Sequence, residues 1–216
     1  MSSQFLTEAI KNRRSIRKYQ DREVPSELIT KALQLASYAP NGGNFQPWHF
    51  VVVKNQELKS KMARLVQEKV DIMVSWPEVG DDIETLRRHQ KNISFFKDAP
   101  ICIVAFAKEY QSAADKVLRK RAKIDPYAQE MISNRESAKS SVQAVAAAIM
   151  NFLLVVHSYG LGACWMAGPL LAKREIEELL GVKDMNLIAV IPVGYPAEEG
   201  TFKERKKVGE FVTFIE

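Results

Sequence analysis

Arg13, Arg14 and Arg17 place three guanidiniums within five residues, with the hydroxyl of Ser15 between them. A guanidinium keeps its charge at any physiological pH and meets an anion with paired, parallel N–H donors. Such a cluster either holds an anion or lies solvated at a helix end, and five residues alone favour the solvated face. The stretch Ala39-Pro40-Asn41-Gly42-Gly43-Asn44-Phe45-Gln46-Pro47-Trp48 shifts that balance. Its glycines let a backbone approach a ligand closely, and its side-chain amides both donate and accept, which suits a flat polar heterocycle. A basic phosphate site together with an amide-lined ring site reads as a site for a nucleotide-type cofactor. The plain alternative for the second stretch is a turn, because Asn and Gly favour turns anyway.

The elements that must position these residues follow from periodicity. Phe5, Leu6, Ala9 and Ile10 have helical spacing up to Asn12. Ile29, Leu33 and Ala36 predict a second helix with Ser26 as N-cap, ended before Pro40. His49 to Val53 is β-branched and aromatic, a strand. Gln56 to Asp71 is helical, Trp76-Pro77 and Gly80 break the chain, and Ile83 to Phe96 is helical again. The apolar runs Pro100 to Phe106 and Leu187 to Val193 predict buried central strands, and Phe211 to Ile215 alternates like an edge strand. Ala138 to Tyr159 is the longest helical candidate. Its run from Val142 to Val156 is short of a membrane span, yet apolar on all sides, so it must be buried in a core or between subunits. The polar segment Lys108 to Ser137 is an excursion, either a cap over a site or a solvated surface. Without strict βαβ alternation the class is α+β with a mixed sheet.

Composition bounds the function. A chain of 216 residues is one domain, 1–216, and at 46% hydrophobic and 26% charged residues it has ordinary globular composition. The net charge of +5 suits an anionic ligand but also plain solubility. No basic stripe accompanies a nucleic-acid module, so nucleic acid is not an expected partner. Cys102 and Cys164 lie in apolar surroundings and read as buried, inert thiols. Met1 to Asn12 carries Glu8 and no basic-then-apolar order, so no signal peptide is expected and the expected location is the cytoplasm, with no membrane partner. His49, His89 and His157 are scattered without ligand spacing, so no metal site is expected. The absence of Gly-x-Gly-x-x-Gly argues against a Rossmann cradle.

Arg-Arg-Ser-x-Arg near the N-terminus, followed about thirty residues on by Asn44-x-Gln46-Pro47-Trp48, resembles the FMN-dependent nitroreductase family. The resemblance continues through Gly160-Leu161-Gly162 and Trp165-Met166-Ala167-Gly168 to Lys203-Glu204-Arg205. Each motif is weak alone; their order and spacing are specific for the family and not for a substrate. The resemblance implies a nitroreductase-like fold, a central sheet flanked by helices in an intertwined homodimer with the long helix at its centre. It also implies FMN as cofactor, NADH or NADPH as co-substrate and a small electron-poor acceptor. Position by position, Arg13 and Ser15 would take the phosphate and ribityl chain, and Arg17 the pyrimidine edge. Asn44 and Gln46 match the amide loop, Asn92 a ring-bonding asparagine, and Ala167 and Gly168 backbone donors toward N5 and O4. Lys203 and Arg205 would close the phosphate site; Arg14, Pro40, Asn41 and Trp165 complete the expected contacts. No catalytic acid, base or nucleophile is required, because the flavin carries the chemistry. The implied activity is reduction of nitroaromatics, quinones or similar acceptors. The alternatives are another flavin reaction on the same fold (flavin destruction, dehalogenation, enone reduction) or a flavin binder without turnover.

One phosphate-sized basic cluster and no second anion site predicts that the purified protein is yellow and releases FMN on denaturation. Chromatography of the released cofactor checks this; FAD as the main species would contradict it.

Overall fold

The structure, a computed structural model, describes residues 3–216. Met1 and Ser2, the start of the segment read for a leader, lie outside the described residues. The elements in order are α1 (Ser3–Asn12), α2 (Ser26–Ala36), β1 (Trp48–Val53), α3 (Gln56–Val74), α4 (Ile83–Asn92), β2 (Ile101–Ala107), α5 (Ala113–Arg121), α6 (Pro126–Ser137), α7 (Ser140–Ser158), β3 (Gly162–Ala163), α8 (Lys173–Leu179) and β4 (Asn186–Gly194).

The strands form one sheet in the order β1-β2-β4-β3. Every residue of β2 is buried, because the strand is covered on both faces. Ile101, Ile103, Ala105 and Ala107 pack with α2 and α7 on one side. Cys102, Val104 and Phe106 pack with α3 and α8 on the other. This is the period-two alternation of a strand between two helical layers. The expected mixed sheet is antiparallel in all its strand pairings; a parallel neighbour enters only through an isolated bridge between Ser15 and Ala163. The reason lies in the connection from β1 to β2. Two successive helices carry the chain out and back, so β2 starts at the end where β1 stopped and runs the other way.

Local chemistry sets the helix starts. Asn55 caps α3, its Oδ1 accepting the Leu58 N–H at 2.8 Å. Ser112 and Asp115 form a reciprocal capping box on α5. Ser26 is not the N-cap of α2: Pro25 holds that position without a side-chain bond. Ser26 Oγ instead accepts from Lys54 Nζ at 2.6 Å and ties α2 to the end of β1. The helix expected to reach Phe96 stops at Asn92 and continues as a 3-10 turn, Phe95–Asp98. The buried Lys59 lies over that turn, donating to the carbonyls of Ala99 and Pro100, and desolvation lowers its pKa.

The excursion folds as the hairpin α5–α6, with only Ala128 and Ile132 buried. The stretch 126–158 contains an 18-residue window of mean hydropathy 1.6, long and apolar enough by length and composition alone to cross a membrane, contrary to the expectation from the shorter run. Lys139, in the left-handed region at φ 50°, divides that stretch into α6 and α7. Ala144, Val145, Ala148, Ile149, Phe152, Leu153 and Val156 of α7 are buried, while only 39% of the window is. The edge strand expected at Phe211–Ile215 is absent: a 3-10 turn, Val208–Glu210, leads into an irregular end where Phe214 is 85% and Ile215 94% exposed. β3 occupies the β4 edge, and the C-terminal residues do not join the open edge of β1 either. Both cysteines are free and buried, as expected, and burial pushes the Cys102 thiol up to about 12.

Gly162 is the tightest backbone approach at the sheet edge: a Cβ there would stand 2.7 Å from Ile16 Cβ and Cγ1. Those atoms belong to a buried, β-branched side chain with no room to retreat. Gly162→Ala is therefore expected to cost about 1–3 kcal/mol of unfolding free energy. Denaturant titration checks this against Gly209→Ala, where a Cβ meets nothing within 4 Å and little change is expected.

Candidate cofactor site

The chain leaves α1 at Asn12 and runs extended along β3. Ile16 N–H donates to the Ala163 carbonyl at 3.0 Å, and Ile16 is buried between the positions of Gly162 and Gly200. Arg17 N–H donates to Glu198 Oε1 at 2.6 Å, and Tyr19 Oη to the Ile16 carbonyl at 2.6 Å. The arginine segment is thus pinned from β3 on one side and from the chain after β4 on the other.

This anchoring sorts the predicted residues. Arg13 Nε is buried without a hydrogen-bond partner. Burial, then Arg14 and Arg205, lowers the Arg13 pKa. A buried unpaired donor costs about 1–3 kcal/mol, a cost that an anion seated there removes. Ser15 lies beside the Cys164 thiol, and Arg17, Ser15 and Arg13 oppose the rise that burial imposes on it. Arg13, Ser15, Arg17, Cys164 and Arg205 therefore share one neighbourhood that fits a phosphate monoester. Arg14 borders it, adding its charge beside Arg13, but its guanidinium is engaged elsewhere. Its Nη1 donates to the Lys11 and Arg13 carbonyls, and its guanidinium lies 5.1 Å from the Phe202 ring centroid. It braces α1 and the C-terminal segment, on which Lys203 stands exposed. Next to this neighbourhood lies a cavity of about 590 Å³, lined by Arg13, Arg14, Leu153, His157 and Glu198 among others. Burial, Arg13 and Arg14 hold the His157 imidazole below its ordinary pKa.

Beyond β3 the chain keeps to β4: Cys164 N–H donates to Pro192, and Met166 exchanges both backbone bonds with Val190. Cys164 and Met166 are buried, Trp165 and Ala167 exposed, so the latter two face outward together. Gly168 follows, and α4 lies against it through Ile93 Cδ1 and His89 Cε1. Asn92, expected at the ring, is turned back: its Nδ2 donates to the Arg88 carbonyl at 2.8 Å, and the residue is exposed. Ile93 and His89 are the side chains that lie nearest Gly168.

The amide loop is preformed and strained. Asn44 and Gln46 both have positive φ, 53° and 52°. Asn41 Oδ1 accepts the Gln46 N–H at 2.8 Å, its Nδ2 donates to Ala39, and Phe45 packs on Tyr110 at 5.1 Å. Left-handed non-glycine residues cost about 1–3 kcal/mol and gather at binding sites. Pro40, Asn44 and Gln46 are exposed. Within one chain the loop does not meet the arginines. It feeds β1 beside Ala107, at one end of β2, whereas β3 lies with Val193 at the Ile101 end. Seven residues of strand separate the ends by about 20 Å.

Sequence reasoning missed His89, Cys164, Glu198 and Tyr110. The spacing of His89 to the buried Ile93, one helical turn, was a usable signal; the others meet the site only through tertiary contacts. Among the described residues no three His, Cys, Asp or Glu side chains cluster as metal ligands would.

The chain is similar to proteins of known sequence and of known structure. A candidate NADH dehydrogenase/NAD(P)H nitroreductase of Methanothermobacter thermautotrophicus is 36% identical over 201 residues, 92% of this chain and 81% of that protein. A BluB-like flavoprotein of Clostridium difficile is 29% identical, superimposes with a TM-score of 0.86 and covers 98% of this chain and 99% of its own. An iodotyrosine deiodinase bound to FMN and 3-iodo-L-tyrosine shares the fold at 23% identity and a TM-score of 0.72, over 97% of this chain and all of that one. With residues 10–195 matching the Nitroreductase family, its basic segment, amide loop and Ala167–Gly168 edge on the expected elements, the chain belongs to that family.

Proposed function

We propose that the protein is an FMN-dependent oxidoreductase that takes electrons from NADH or NADPH and passes them to nitroaromatics, quinones or related flat, electron-poor acceptors. The observation that carries the reading is the buried, unpartnered Arg13 Nε beside Ser15, Arg17 and Arg205. When bound, FMN supplies hydride acceptance and hydride donation. The chain supplies the rest. Arg13 and Arg205 would hold the phosphate, with Lys203 on the same segment. Arg17, a fixed cation, would serve the pyrimidine side and favour charge developing there. The backbone of Ala167 and Gly168 would offer donors to the ring, with Trp165 beside them.

The site is completed by a second copy of the chain. Asn44 and Gln46 lie about 20 Å from the arginines along β2, too far to line one ring with them. The half-covered α7 and the exposed Phe211, Phe214 and Ile215 supply apolar surface for a homodimer. A partner's loop would then bring its Pro40, Asn41, Asn44 and Gln46 over the flavin held by the first copy.

Light scattering is expected to give about twice 24.4 kDa. Arg13→Ala is expected to weaken FMN binding about ten- to hundredfold, through loss of a charge-assisted bond, and Asn92→Ala to leave it nearly unchanged. Co-assembly of Arg13→Ala subunits with Asn44→Ala/Gln46→Ala subunits should restore FMN at one site per mixed dimer; no restoration would show that each chain binds alone. One open ring face predicts alternating donor and acceptor, hence parallel double-reciprocal plots. A panel containing a nitroaromatic, a quinone and a halophenol identifies the acceptor class, and absence of NAD(P)H oxidation with all three would leave a binder without turnover.

A further inference from the structure

We propose that His89 positions the acceptor: its imidazole N–H donates a hydrogen bond to a nitro or carbonyl oxygen of the flat substrate lying at the Ala167–Gly168 edge. The proposal rests on the reading above that this edge faces the flavin ring.

The geometry begins with Gly168. Ile93 Cδ1 occupies the place a Cβ would need, and His89 Cε1 lies 3.5 Å from that same point. Ile93, the C-cap of α4, lies one turn beyond His89, so the two share a face and seat the end of α4 on the edge together. Their burial differs. Ile93 is 3% exposed and acts as the packing contact, whereas His89 is exposed on a helix that buries none of its residues. The imidazole is thus held beside the edge by its neighbour and is open to a ligand.

Several polar side chains around it are engaged: Arg87 pairs with Glu84 at 3.7 Å, Gln90 donates to Asp71 at 2.8 Å and Asn92 bonds its own helix, while Arg88 and Lys91 stand exposed. Among the described residues His89 has no hydrogen-bond partner. A neutral imidazole has one N–H donor and a protonated one has two, and nitro and quinone oxygens are acceptors only. A donor at the rim of an otherwise apolar ring site fixes the orientation of a flat substrate that stacking alone would leave free to rotate. Gly168 is what permits this, since any side chain there would displace Ile93 and carry His89 away from the edge.

The test is binding to the oxidised holoenzyme without reductant, so that no turnover occurs, read by the change in flavin absorbance. Nitrobenzene and chlorobenzene are the probes, similar in size, only the first with oxygen acceptors. His89→Ala is expected to weaken nitrobenzene about three- to tenfold, the worth of one net hydrogen bond, and to leave chlorobenzene and FMN content unchanged. His89→Gln, which keeps a donor, should recover most of the loss. Equal nitrobenzene affinity in all three proteins, or an equal loss for both probes, overturns the role of His89 while leaving the flavin reading intact. A wild-type protein that holds no FMN overturns both.

Discussion

The bond from Ile16 N–H to the Ala163 carbonyl, with the Ile16 side chain closed over Gly162, fixes the geometry on which the cofactor site depends. It adds the segment Arg13–Arg17 alongside β3 as a short parallel neighbour. Period-two alternation then decides which residues face the ligand. Ile16 goes in, Ser15 meets Cys164, and Arg13 lies where burial leaves its Nε without a partner. Had the segment slipped by one residue, Arg14 would hold that place and Arg13 would brace the C-terminal segment. Glu198 guards against such a slip by accepting the Arg17 N–H from the other side.

The sheet gives the site its rigidity and also divides it. β2 is buried on both faces and spans the core, so whatever hangs at its two ends is held firmly but apart. One end carries the arginines and the other the strained loop of Asn44 and Gln46; the Ala167–Gly168 edge follows Met166, which pairs with Val190 opposite the middle of β2. Left-handed φ at two non-glycine positions, Asn44 and Gln46, is held by Asn41, Phe45 and Tyr110, which over-determine the loop. That investment has no use within one chain. It makes sense as a rigid surface presented to a second copy, as does the apolar face that α7 leaves half covered.

Electrostatics follow the same division. The basic cluster is crowded: Arg13 has Arg14 and Arg205 as like-charged neighbours, and each lowers its pKa. Repulsion of this kind is preorganisation for an anion, because a phosphate relieves it and pairs the buried N–H in one step. The ion pairs of the α5–α6 hairpin are different. Arg119 with Glu109 and Glu136, and Arg135 with Asp115, are satisfied internally. Such exposed pairs steady the excursion and contribute little else.

The amino-acid sequence alone determined the fold class, the central strands, the long apolar helix and the composition of the basic and amide motifs. These are local or periodic properties, and burial of apolar residues at fixed spacing enforces them wherever the chain goes. It also carried the family, because motif order survives when single motifs are weak. It did not determine the antiparallel direction of every strand pair, which depends on how many helices bridge two strands. Nor could it place Phe211–Ile215, whose alternation suits a strand but which joins neither edge of the sheet in this chain. The phase of α4 was likewise hidden: each residue of helix turns a side chain by about 100°, so which residues meet Gly168 was decided only by packing. Above all, the separation of Asn44 from Arg13 is a tertiary fact, since thirty residues of sequence say nothing about which end of a buried strand each will reach.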